Sequence, residues 1–347
     1  MKIMYVDHSI EGHHLEYLRH LAENKEYESL AVLPQKVEEL GIRQIVYPYL
    51  DLKKKKISDY LKYIKAIKKI ATQEKVDVIH FLDGDSTMRY FDVGYRCLKR
   101  FHTVVTFHHL FPGKLRELSM KSILKKVSLA VVHTDEIEAK IKSYGCKNVE
   151  TVHYPCFLSA EPVEKEAKQV KTLLALGGTR YDKGVDILLA ALKNVKVDFR
   201  LIIAGKEEFF SKAYIENAIK NYQSQVDVRL KFLTNDEMLE CLQNADIIIL
   251  PYRKEFDGAS GPLCEGAYLG KTIIGPNHGS LGAIIKQNHL GYCFESEDPE
   301  SLAECISDAL RMDFSYDQYA KEYQRAVYTY FYLQKYTAIY RELCKKV

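Results

Sequence analysis

The run D-G-A-S-G-P-L-C-E-G-A-Y-L-G, Asp257–Gly270, stands between two apolar segments. Before it, A-D-I-I-I-L-P-Y reads as a buried strand ending at Pro251; after it, K-T-I-I-G-P reads as another. Pro262 sits where a helix begins, with Ser260 and Gly261 as cap candidates and Gly270 as the stop. Strand, loop, short helix and strand is the repeating unit of a parallel sheet. Such a loop delivers backbone to a helix N-terminus, where free N–H groups and the positive end of the dipole hold an anion, typically phosphate. Asp257 precedes that point and Glu265 follows it by one turn. The plain alternative is an ordinary βα loop with Glu265 a surface acid, and this run alone does not separate the two.

Upstream, the same pattern recurs. Strand candidates are Thr172–Leu176, Arg200–Ala204, Arg229–Leu233, Asp246–Leu250 and Thr272–Ile274. After the first comes G-G-T-R-Y-D-K-G-V-D-I-L-L-A-A-L. Gly177 and Gly178 permit a tight turn, Arg180 and Lys183 follow, and a helix starts near Gly184. Strand, glycine turn, cations and helix N-terminus suit a diphosphate, whose charge grows as it leaves. Neither the dinucleotide fingerprint nor a P-loop is present.

Residues 1–155 alternate in the same way. Strand candidates are Lys2–Val6, Ser29–Leu33, Gln44–Tyr47, Val76–Phe81, Thr103–Phe107, Leu129–Val132 and Val149–Val152, with amphipathic helices between most of them. This half reads as a doubly wound sheet, in which ligands lie beyond the C-terminal strand ends. Gly12 lies at such an end, in D-H-S-I-E-G-H-H, just before a helix from about His13. His13 and His14 read as the start of that helix rather than as metal ligands. Asp83-Gly84-Asp85 follows another strand; a D-x-D can hold a cation, but no third ligand is evident in the sequence. His108 and His109 follow a third strand, where an imidazole can hydrogen-bond a substrate hydroxyl or equally do nothing.

Residues 52–75 carry nine Lys against one Asp and one Glu, with Ile57, Leu61, Ile64, Ile67 and Ala71 at helical spacing. The ordinary reading is a docked helix with a solvated basic face. The sharper one is a face, near Lys53–Lys75, that rests on anionic lipid headgroups, with Lys114–Lys126 as a second basic segment.

With 347 residues, two domains are expected. Residues 156–170 are polar and irregular and read as a linker, and the tail from about Tyr316 reads as one or two helices. A net charge of +3 gives no argument for a nucleic-acid partner. The start reads as a strand rather than a signal peptide, and no apolar run is long enough to span a bilayer. The eight scattered Cys, with no C-x-x-C pair, fit reduced thiols in the cytoplasm.

From Leu173 to Leu310 the chain resembles GT-B-fold glycosyltransferases, the large retaining group classed as family 4 (glycosyl transferases group 1). The matches are Gly177–Leu192 with its K-G-V-D-I-L-L-A-A-L, then R-L-I-I-A-G-K, N-A-D-I-I-I-L-P-Y, Asp257–Gly270 and D-P-E-S-L-A, in the family's order and approximate spacing. The first half resembles the family only loosely, through Gly12, the T-F-H-H segment and the strand order. The resemblance implies an α/β chain of two Rossmann-like, doubly wound parallel-sheet domains facing a central cleft. They are expected at 1–160 on the acceptor side and 161–320 on the donor side, with a C-terminal helix at 321–347 crossing back.

It also implies a nucleotide-diphosphate sugar as donor substrate, no separate cofactor and no metal. The acceptor is expected to be a carbohydrate or lipid-linked hydroxyl in cell-surface polysaccharide or glycolipid synthesis. The enzyme would be cytoplasmic, or peripheral at the inner face of the membrane. Glu265 matches the family's ribose-binding Glu. Asp257 stands where the family has a Glu beside the transferred sugar, one methylene shorter. Lys183 matches the diphosphate Lys. The family's partner Arg falls on Gly178, and Arg180 is the substitute in that loop. His108 matches a histidine that contacts the donor sugar. Gly12 and the backbone of Ser260, Gly261, Pro262 and Leu263 complete the expected donor set. Two other functions stay open: a sugar-nucleotide epimerase of the same fold, and a catalytically silent sugar-nucleotide-binding protein.

Overall fold

The computed structural model describes residues 1–345 except 11–12, 39, 48–55, 85–93, 110–113, 159, 161–168, 223–224 and 257. The chain divides into two compact units: Met1–His153 with Thr329–Val347, and Tyr154–Tyr328.

Among the described residues, the first unit holds seven parallel strands in the order β3-β2-β1-β4-β5-β6-β7. They are β1 Lys2–Val6, β2 Glu28–Leu33, β3 Arg43–Val46, β4 Val78–Phe81, β5 His102–Phe107, β6 Leu129–Val132 and β7 Val149–Thr151. The central strands β1, β4, β5 and β6 are buried along nearly their whole length, as in a parallel sheet covered on both faces. Helix Ile57–Gln73 buries Tyr60, Tyr63, Ile64, Ile67 and Ala71 in the core. This corrects the apolar stripe expected from the sequence. The two tyrosines turn the buried face away from Ile57, which is 50% exposed.

The tyrosine-rich tail makes two helices, Gln318–Ala326 in the second unit and Thr329–Lys345 in the first. The last helix enters the first unit's interior through hydroxyl groups. His80 on β4 contacts the Tyr340 hydroxyl at 2.6 Å through Nδ1 and Thr106 Oγ1 at 2.8 Å through Nε2. Tyr336 bonds the Tyr17 hydroxyl, and Tyr5 and Tyr27 share a bond of 2.8 Å. Asn24 donates to Thr337 Oγ1 at 2.8 Å. Tyr5, Tyr17, Tyr336 and Tyr340 are fully buried, so each hydroxyl needs such a partner.

The second unit holds six parallel strands in the order β10-β9-β8-β11-β12-β13. They are β8 Lys171–Leu176, β9 Phe199–Gly205, β10 Val226–Leu230, β11 Ile247–Ile249, β12 Thr272–Pro276 and β13 Gly291–Phe294. Two differences from the sequence reading fall on the sheet's two edges. β10 ends at Leu230, paired with Gly205 where β9 ends, so Lys231–Leu233 leave the sheet for a helix capped by Thr234. β13 was not expected; only Phe294 of its four residues is fully covered, which leaves no clear apolar signature.

Burial drives the His80 imidazole down to a pKa of about 3, so it is neutral in the folded protein. Its folded value lies below the unfolded 6.5. Its stabilising contribution is therefore complete above pH 6.5 and is lost as pH falls from there toward 3. We expect His80→Phe to be less stable than wild type by about 2 kcal/mol at pH 7.5, because it strands buried hydroxyls. The gap should narrow as pH drops below 6.5. Urea midpoints at pH 7.5 and 5 check this; a pH-independent gap would contradict it.

Candidate functional site

In the second unit, β8 and β11 are neighbours, so the loops leaving their C-terminal ends lie side by side. Gly184 closes the first loop at φ +63°, and a Cβ there would strike the Pro251 carbonyl. Only glycine permits that approach. Arg253 N donates to Asp182 O at 2.9 Å across the same seam.

Tyr252, the third residue past β11, is the hub of the site. It is 2% exposed. Its ring carries the Lys183 ammonium at 3.6 Å from the centroid, and Phe256 flanks the ammonium at 4.0 Å. Its hydroxyl meets Ser260 Oγ at 3.3 Å. Lys183 is thereby brought to the start of helix Gly261–Tyr268. Ser260 occupies the N-cap position expected of it, but its hydroxyl does not cap the helix because Tyr252 holds it. The first intrahelical bond there is Cys264 N to Ser260 O at 3.1 Å. The amides of Gly261 and Leu263 precede it, so they lack intrahelical acceptors and concentrate the dipole's positive end. Pro262 stands in the first turn, where its missing N–H is harmless.

Glu265 is not a surface acid. It is 7% exposed, and its Oε2 is buried with no hydrogen-bond partner among the described residues. Desolvation alone pushes its carboxyl up to about 7. Lys183 is driven down to about 7, by burial first and then by repulsion from Arg180, with Asp182 and Glu208 opposing. Lys183 is half-buried on the Tyr252 ring, and Glu265 is buried in the helix that begins where Tyr252 holds Ser260.

Arg180, which the resemblance assigns to the diphosphate, is held by Asp182, Nε to Oδ1 at 2.9 Å and Nη2 to Oδ2 at 2.7 Å. Glu208 lies over the glycine turn, and a Cβ built on Gly178 would collide with its Oε2. The turn is fastened by Thr179, whose hydroxyl accepts from Glu208 N at 2.8 Å and donates to Phe210 O at 2.7 Å. Arg253 binds Asp186 at 2.7 Å and stacks on Tyr181 at 4.1 Å. Tyr252, Arg253, Phe256 and Glu208 were not singled out from the sequence. The only local signal was P-Y-R directly after a strand.

His108 lies in the first unit, past the end of β5. Its Nε2 contacts the Leu82 carbonyl at 2.9 Å and its Nδ1 contacts His133 Nε2 at 3.0 Å. Nearby, Asp7, His8 and His14 gather at the end of β1, with Asp83 beside His8 at 3.2 Å. Gly12 and Asp257, both expected at the site, lie outside the described residues.

Two doubly wound parallel sheets in one chain, with the last helix returned to the first unit, are the architecture of the GT-B class. Residues 159–327, nearly all of the second unit, match the family described as glycosyl transferases group 1. An uncharacterized glycosyltransferase of Methanocaldococcus jannaschii is 31% identical over 138 residues, 40% of this chain and 37% of that protein. The chain thus matches little more than a third of that curated relative's length. The sucrose-phosphate synthase of Thermosynechococcus elongatus superposes with a TM-score of 0.79 at 15% identity, over 100% of both chains. HepE of Anabaena, solved with UDP and glucose, gives 0.74 at 14% identity over 99% of this chain and 100% of its own.

The Glu265 carboxyl titrates higher in the folded protein than its unfolded 4.5, so wild type loses stability as pH rises from 4.5 through about 7. Glu265→Gln escapes that loss. We expect it to be more stable than wild type at pH 8 by about 2–3 kcal/mol, and nearly equal to it at pH 5. Urea unfolding at the two values checks this; parallel curves would contradict it.

Proposed function

We propose that the protein is a glycosyltransferase that moves a sugar from a nucleotide-diphosphate donor to an acceptor hydroxyl, with retention at the anomeric carbon. The observation that carries this reading is the meeting at Tyr252 of the Lys183 ammonium and the uncapped start of helix Gly261–Tyr268, with the orphaned Glu265 carboxylate one turn on. The first two suit a diphosphate; the third suits a vicinal pair of ribose hydroxyls. One nucleoside diphosphate satisfies all three.

On this reading the diphosphate neutralises Lys183 and takes hydrogen bonds from the Gly261 and Leu263 amides. Those groups then stabilise the charge that develops as the glycosidic bond breaks. The departing phosphate takes the acceptor proton on the same face. Two contacts must give way first: the Glu208 carboxylate leaves the Gly178 turn, and Arg180 exchanges Asp182 for phosphate. The acceptor is read as a carbohydrate or lipid-linked hydroxyl. The outward Lys62, Lys65 and Lys69 of helix Ile57–Gln73 support peripheral contact with anionic headgroups. No helix among the described residues is long and apolar enough to cross a membrane.

A thermal-shift screen against nucleotide-diphosphate sugars tests the donor, starting with UDP-sugars because the Anabaena neighbour was solved with UDP. With the donor found, Lys183→Ala and Glu265→Ala should each lower transfer about a hundredfold, roughly 3 kcal/mol of transition-state stabilisation. Each variant should keep a cooperative melt. Wild-type turnover in both would remove these residues from the mechanism. An epimer formed from donor alone, or binding without transfer across a broad acceptor panel, would overturn the transferase reading. Glu208→Gln should bind the nucleoside diphosphate at least about fivefold tighter, since no anion then has to be displaced; weaker binding would contradict the placeholder role.

A further inference from the structure

We propose that Asp7, His8 and His14, with Asp83 beside His8, form a divalent transition-metal site in the first unit. The proposal is independent of the observation that carries the donor reading, which lies in the second unit. β1 and β4 pair in register, Val6 opposite Phe81, so their C-terminal ends deliver Asp7-His8 and Leu82-Asp83 side by side. The helix starting at His13 then lays His14 across Asp7. Three short segments, none with metal-ligand spacing in the sequence, thus converge.

The donor atoms of Asp7, His8 and His14 all lie within 4.8 Å of one another. His14 Nδ1 stands 3.2 and 3.1 Å from the two Asp7 oxygens. His8 Nδ1 stands 3.5 Å from Asp7 Oδ1 and 3.2 Å from Asp83 Oδ2. Donors around a tetrahedral ion at about 2.0–2.1 Å are roughly 3.3 Å apart. The His14–Asp7 and His8–Asp7 separations fit that edge, and the remaining His8–His14 separation is within 4.8 Å.

Charge points the same way. The side chains of Asp7 and Asp83 are 1% and 4% exposed, and His8 and His14 are 9% and 14% exposed. Two carboxylates removed from water need compensating positive charge. Protonating both imidazoles would set two cations with ring centroids 5.3 Å apart. A single dication balances both carboxylates and leaves the rings neutral, as ligands must be. Two imidazole nitrogens with carboxylate oxygens select zinc-like first-row ions over calcium or magnesium. With Asp7, His8 and His14 engaged, the ion ties the end of β1 to the first turn of the following helix, and Asp83 at the end of β4 holds His8.

The test uses full-length protein free of any histidine tag, stripped with chelator and incubated separately with Zn²⁺, Mn²⁺, Mg²⁺ and Ca²⁺. Bound metal is counted by mass spectrometry after gel filtration, alongside melting curves. We expect one equivalent of Zn²⁺ or Mn²⁺, a raised melting temperature, and no retention of Mg²⁺ or Ca²⁺. His14→Ala and Asp83→Asn should each weaken binding by about 10-fold or more. The Co²⁺ form should lack a thiolate charge-transfer band, which excludes the cysteines as ligands. No Zn²⁺ or Mn²⁺ retained by wild type would overturn the proposal, whatever the variants do. Equal retention by wild type and both variants would overturn it too.

Discussion

Lys183 sits half-buried on the ring of Tyr252 while Glu265 is buried in the helix whose first residues Tyr252 holds through Ser260, and the account of the second unit depends on that arrangement. Tyr252 offers the ammonium an aromatic face and offers Ser260 its hydroxyl. Neither contact restores what solvent would give to an ionised lysine or an ionised glutamate. Both groups are therefore pushed toward neutrality, each to about 7. A site of this kind is destabilised while empty. It is relieved by a ligand that brings an anion to the lysine and hydroxyl donors to the carboxylate. The local carboxylates Asp182 and Glu208 oppose the shift at Lys183, and Asp182 also holds Arg180.

The first unit solves the opposite problem. Its interior is also polar, but His80 and most of the tyrosine hydroxyls around it find partners within the unit. Tyr340, His80, Thr106, Tyr336 and Tyr17 form a connected series from the last helix into the sheet. That series gives a physical reason for three of the chain's 25 tyrosines. A phenol fills core volume as Phe does and also fixes the register of the helix that carries it. The tail of the chain is thus a structural part of the unit that begins at Met1.

The fold was largely legible because most strands are continuous apolar runs covered on both faces, and such runs survive in a one-dimensional reading. The misread strands, β10 and β13, are the exposed edges of the second sheet, where burial leaves little pattern. The Lys-rich helix was found by its period, but its inner face was misplaced because tyrosine was not counted among its core residues. The site was less legible. Glu265 stood out by its position in a helix, yet its burial is a property of packing. Tyr252 and Glu208 act across chain separations that no local pattern encodes. Asp83 looked idle in D-G-D because its neighbours His8 and Asp7 come from another strand.

The most direct test of the central claim is a crystal structure of the protein with a bound nucleoside diphosphate, UDP being the first choice. The account predicts the diphosphate within hydrogen-bond reach of Lys183 Nζ and of the Gly261 and Leu263 amides, with ribose hydroxyls on the Glu265 carboxylate and the Glu208 side chain swung away from Gly178. A nucleotide bound elsewhere, with Lys183 still resting on Tyr252 and Glu265 still without a partner, would contradict it.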